Sequence, residues 1–135
     1  MNTLRPGSTG SASVRVTQAN TAAALGNQGV DVFATPFMAA LVEEACRVAA
    51  LPLLQPGSLT LGGSLELRHL APTPIGFTVI ATATLTEVKG PKLVFEVSVS
   101  DEVEKVGEAR HVRFVARADD FHAKVRAKAA GRPGR

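Results

Sequence analysis

No tryptophan and no tyrosine occur in this 135-residue chain, and it has a single cysteine. That thiol, Cys46, cannot close an internal disulfide, which fits a reducing compartment. Nothing approaches the ~18 consecutive apolar residues of a membrane helix. The opening residues, MNTLRPGSTG, carry neither an apolar signal core nor a twin arginine. The expectation is a cytoplasmic chain without a membrane segment. Also missing are a GxSxG elbow, a P-loop, a GxGxxG loop, and any His, Cys or carboxylate set at metal-ligand spacing. No metal and no other cofactor is expected.

What is present describes an ordinary globular chain, 45% hydrophobic and 20% charged, long enough for one core. The net charge of +3 is unevenly placed. Beyond Phe121 come Lys124, Arg126, Lys128, Arg132 and Arg135, with no acid; without these, the 12 acids outnumber the remaining bases. The basicity therefore belongs to a tail rather than to a recognition surface. No aromatic residues interleave with it to stack bases, so nucleic acid is not expected. A solvated tail, or one that meets a phosphate-bearing ligand, fits the pattern.

Composition divides the chain into a flexible Gly/Ser/Thr-rich start at 1–12, a folded domain at 13–121 and the basic tail at 122–135. Alternation from Val14 suggests a first strand, and a helix is predicted over Pro36–Ala50, stopped by Pro52. Period-two patterns predict strands in SLTLGGSLELRHL (58–70), FTVIATATLTEV (77–88), LVFEVSVS (93–100) and ARHVRFVARA (109–118). DDFHAKVRAKAA predicts a terminal helix with an Asp cap. One helix followed by consecutive tightly connected strands gives an α+β class with an antiparallel sheet.

Thr35-Pro36 predicts the helix start, with Thr as N-cap and Pro at the first helical position. At about 100° per residue, Phe37, Met38, Leu41, Val42, Ala45 and Val48 form the core stripe. Glu43 then lies almost opposite the core and Glu44 on its flank. Glu43 has two readings. It can pair with Arg47 at i,i+4 on the surface. Alternatively, the small residues around it (Ala39, Ala40, Cys46, Ala50) admit a ligand or a second subunit, and the carboxylate does chemistry. His69 is the last inward position after Leu65 and Leu67, either a satisfied core residue or a catalyst. The pair Gly62-Gly63 marks a bulge or a close approach to a ligand. His111 shares a strand face with Arg113 and Arg117 and is expected to be wet.

In order and spacing, VFATPFMAALVEEAC, LTLGGSLELRHLAPTPIG and KLVFEVSVSDEVEKVGEARHVRF resemble the hotdog-fold thioesterases, specifically the fluoroacetyl-CoA thioesterase-like branch. The resemblance implies a sheet wrapped around one long helix, a homodimer, and an acyl-CoA substrate bound at the subunit interface. It places the family's catalytic Thr, Glu and His on Thr35, Glu43 and His69, and its acyl-contacting loop glycine on Gly62. Glu44 falls outside the match.

In this reading the start of the helix stabilises an oxyanion, and Thr35 attacks or orients a water. Glu43 is nucleophile or base, and His69 moves the proton. The fluoroacetyl-selective type carries an aromatic lid just upstream of the Thr. Here ALGNQGVDV has no aromatic residue, which implies a different or broader acyl group. The alternative is a non-catalytic hotdog dimer that binds acyl-CoA or a small hydrophobic ligand; an enoyl-thioester hydratase is disfavoured by the matched residues.

Overall fold

The computed structural model describes residues 5–134. The elements are β1 (Thr9–Arg15), α1 (Thr35–Ala50), β2 (Ser58–His69), β3 (Thr78–Lys89), β4 (Lys92–Ser100), β5 (Lys105–Arg117) and α2 (Ala118–Ala130). The strands form one sheet, ordered β1-β3-β4-β5-β2, with every neighbouring pair antiparallel. The sheet curls around α1, as the hotdog arrangement requires, and the core lies between them: Met38, Val42, Ala45 and Ala49 pack against Val79, Ala81, Leu85, Phe95 and Val99.

The β-branched run of β3 and the alternation of β4 meet through a tight turn at Gly90, whose φ of 57° suits a residue without a Cβ. On the next turn, the Asp101 carboxylate accepts from the N–H groups of Val103 and Glu104 at 2.8 and 3.0 Å. It also accepts from the Thr73 hydroxyl at 2.8 Å.

Three expectations change. The first strand begins at Thr9, inside the stretch expected to be flexible, and pairs with β3 from Thr9↔Thr84 to Arg15↔Thr78. Residues 1–4 lie outside the described residues. The small residues there serve close packing: a Cβ on Gly10 would sit 2.7 Å from Ala49 Cα and 2.8 Å from the Ala45 carbonyl oxygen. Second, the buried face of α1 is rotated from the forecast. Cys46, Ala49 and Ala50 are buried, whereas Phe37 and Val48 are only half-buried. With β1 lying on the helix backbone, small residues occupy the nearest positions. Third, α2 starts from Arg117 without a side-chain cap; Asp119 and Asp120 instead stand in its first turn, favourable to the helix dipole. No residue of α2 is buried, and Arg135 lies outside the described residues.

No helix among the described residues is long and apolar enough to cross a membrane.

Candidate active site

Two connections place the start of α1. The Phe33 N–H donates to the Thr73 carbonyl at 2.9 Å, and Val32 bridges to Pro74. The loop entering α1 is thus laced to the turn leaving β2, and it brings Thr35 to the end of that strand. Thr35 is not the cap. Ala34 fills that position, its carbonyl accepting from Phe37 and Met38 at 3.1 and 3.0 Å. The Thr35 hydroxyl is therefore free for another partner, and its Oγ1 lies 2.7 Å from Nδ1 of His69.

His69 follows Leu65 and Leu67 on the inward face of β2, all three half-buried, as the alternation predicts. Its Nε2 is buried with no hydrogen-bond partner among the described residues. Burial pushes the ring's pKa below its ordinary 6.5 against an opposing contribution from the Ala71 backbone. A neutral ring whose Nδ1 is bare accepts from the Thr35 O–H, which makes that oxygen more nucleophilic.

Glu43 occupies a second cluster. Arg47 does not take it: the guanidinium pairs with Glu44 instead, Nε and Nη2 at 3.0 and 2.9 Å from its two oxygens. At i,i+3 this bidentate pair lies along the exposed helix side. Glu43 is half-exposed on the border of the buried face, its Oε1 3.9 Å from Arg113 Nη1. Gly62 completes the cluster, since a Cβ there would lie 3.6 Å from Glu43 Oε1, 3.5 Å from His111 Cε1 and 3.7 Å from Arg113 Nη1.

His111 and Arg113 correct the expectation of a wet face. They are only 1% and 6% exposed. The face they share is the concave one, and burial of Arg113 is tolerated because Thr60 and His111 satisfy its fork. The signal that would have found them is the register, in which Arg113 stands opposite Gly62 and His111 opposite Leu65.

The glycine pair forms a bulge. The β2–β5 register shifts between Gly62 and Ser64, so Gly63 is bulged out. Gly62, beside it, opens space next to a carboxylate and a guanidinium. Cys46 is buried next to this cluster, and burial pushes its thiol up to about 12 against the pull of Arg113.

One chain does not join the two clusters. Thr35 and Glu43 are eight residues apart on α1, which is ~12 Å of helix rise. A groove of about 790 Å³ on the outer face is lined by Glu66, Arg68, Thr82, Glu96, Glu108 and Arg110 among others, and by none of Thr35, Glu43, Gly62 or His69.

Known proteins give this geometry a context. A family model described as fluoroacetyl-CoA-specific thioesterase matches residues 16–119. The fluoroacetyl-CoA thioesterase of Streptantibioticus cattleyicolor is 45% identical over 98 residues, 73% of this chain and 70% of that protein. A crystal structure of a Phe-to-Ala variant of the fluoroacetyl-CoA-specific thioesterase superposes with a TM-score of 0.86 at 36% identity, covering 95% of this chain and 99% of that one. A thioesterase superfamily member from Thermus thermophilus gives 0.89 at 26% identity, with 96% of each chain covered. The chain belongs to the fluoroacetyl-CoA-specific thioesterase family and is a thioesterase of hotdog fold.

Proposed function

We propose that the protein hydrolyses the thioester of a small acyl-CoA to a free acid and CoA, using Thr35, Glu43 and His69 at an interface between two copies. The observation that carries this reading is the 2.7 Å contact between Thr35 Oγ1 and Nδ1 of a neutral, half-buried His69. An alcohol bonded to a bare imidazole nitrogen is poised to attack a carbonyl carbon or to orient a water that does.

The oxyanion that forms would face the start of α1, where the helix dipole is positive. Glu43 acts as nucleophile or as base for water, and His69 returns the proton to the departing thiolate. Water supplies the oxygen and hydrogens that balance the products.

Strand geometry supports a site shared by two chains. β2 is an edge of the sheet, and Gly62 and His69 stand seven residues apart along it, ~23 Å at strand rise. A second copy pairing antiparallel along this edge would set the Gly62–Glu43 end of one chain by the Thr35–His69 end of the other.

The relatives are named for fluoroacetyl-CoA, and related structures hold fluoroacetate with CoA or acetyl-CoA. Here the segment 22–32 ahead of α1 closes on itself without an aromatic residue, the Ala22 and Ala23 N–H groups donating to the Val32 and Val30 carbonyls, both at 2.9 Å. We therefore assign small acyl groups not confined to fluoroacetyl.

The test is thiol release from a panel of short, branched and aryl acyl-CoAs, together with Glu43→Gln and His69→Ala. Turnover of a short member, lost in both variants, is expected. Saturable binding without release would instead establish a non-catalytic acyl-CoA binder. Full activity in both variants would sink the mechanism.

A further inference from the structure

We propose that His111 is a positioning residue for this site: as a neutral acceptor it holds Arg113 in the orientation from which the guanidinium faces Glu43. The inference rests on the reading of Glu43 as the catalytic carboxylate.

The tautomer follows from the partners. His111 Nδ1 lies 2.8 Å from the Ser64 carbonyl oxygen, and Nε2 lies 3.2 Å from Arg113 Nη1. A carbonyl only accepts, so Nδ1 carries the proton; a guanidinium only donates, so Nε2 is bare. On its other side Arg113 is held by Thr60, with Nε donating to Oγ1 at 2.9 Å and Nη2 to the carbonyl at 3.0 Å. Thr60 fixes one end of the fork, and His111 fixes the end that lies 3.9 Å from Glu43 Oε1. Removing the ring nitrogen would leave that end free to swing from the carboxylate.

The charged groups that act on His111 are Arg113 on its own strand and Glu43 on α1. Its cross-strand neighbours, Leu65 on β2 and Phe95 on β4, carry no charge. A second ring proton would aim a donor at the guanidinium and bury two cations together. Burial, reinforced by Arg113, holds the ring's proton affinity below the ordinary histidine value, against the Ser64 carbonyl and Glu43.

His111→Phe keeps a flat ring but no acceptor, whereas His111→Gln offers an amide oxygen in its place. On the acyl-CoA turned over best, His111→Phe is expected to lower kcat about tenfold or more with KM within about threefold, and His111→Gln to recover most of the loss. Long-range 1H–15N spectra of the wild type should show His111 as the Nδ1–H tautomer. The Arg113 Nη1 protons, which face His111, should exchange slowly with solvent and faster in His111→Phe. Wild-type kcat in a folded His111→Phe, an Nε2–H tautomer, or rapid Arg113 exchange in the wild type would each overturn the proposal. If no acyl-CoA is hydrolysed, the functional reading fails, and the tautomer and exchange data still decide the clamp.

Discussion

Thr35, the first residue of α1, and His69, the last residue of β2, meet through a hydrogen bond of 2.7 Å between Oγ1 and Nδ1. Thr35→Val keeps the side-chain shape and removes the hydroxyl, so it should lower kcat by about 10²–10⁴ while leaving the fold intact. Thr35→Ser retains the oxygen and should keep most of the activity. Equal turnover by Thr35→Val and wild type would remove Thr35 from the chemistry.

A site built from two chains predicts complementation. Mixing Glu43→Gln chains with His69→Ala chains yields mixed dimers in which one of the two sites has every group. After subunit exchange, activity should return to about a quarter of wild type, because half the dimers are mixed and half their sites complete. A site contained in one chain would stay dead in every mixture.

Acid should weaken the fold before the carboxylates titrate. His69 and His111 both bind protons less readily folded than at their ordinary 6.5. Below that value the unfolded chain takes up protons that the native chain refuses. Stability is therefore full above about pH 6.5 and declines as pH falls toward the two folded values. Thermal melts from about pH 7.5 to 5.5 should show a falling Tm, and turnover should fall with it as His69 charges. A flat Tm over that window would contradict the buried placement of His111 and the half-buried one of His69.

The Cys46 thiol, fully buried with its pKa pushed up to about 12, should be inert. A colorimetric thiol reagent at about pH 8 should label it only after denaturant is added. Rapid labelling of the native protein would mean that the packing of α1 against the sheet is looser than described.

Helix α2 buries no residue, so cutting the chain after Phe121 should leave the fold intact. If its Lys and Arg residues meet the phosphates of CoA, truncation raises KM at low salt and the difference closes as salt is added. An unchanged KM at low salt would dismiss the tail from binding.

Much of the fold could be read from side-chain period alone. The extent of α1 and the inward series Leu65, Leu67, His69 follow from 3.6- and two-residue patterns. The proximity of Thr35 and His69 does not follow from them, because it depends on the Phe33–Thr73 lacing between loops far apart in sequence. The wheel of α1 placed Phe37 and Val48 in the core because it weighted large apolar residues, whereas the buried face carries Cys46, Ala49 and Ala50, and Gly10 of β1 lies against Ala45 and Ala49. Nor does alternation within β5 say which face is wet when a histidine and an arginine line the concave one. Pairing with β2 settles that, through hydrogen bonds no local window contains.

The bulge at Gly63 also sets the phase of β2. After it the inward residues are odd-numbered, Leu65, Leu67 and His69; before it Gly62 and Thr60 face inward instead. Were Gly63 drawn into the ladder as an ordinary residue, everything N-terminal to it would flip onto the opposite face of the sheet. Thr60 would turn from Arg113, and a guanidinium would be stranded in the interior without changing any residue that handles substrate. The protein should therefore tolerate many substitutions along this strand far better than a change that lets Gly63 pair.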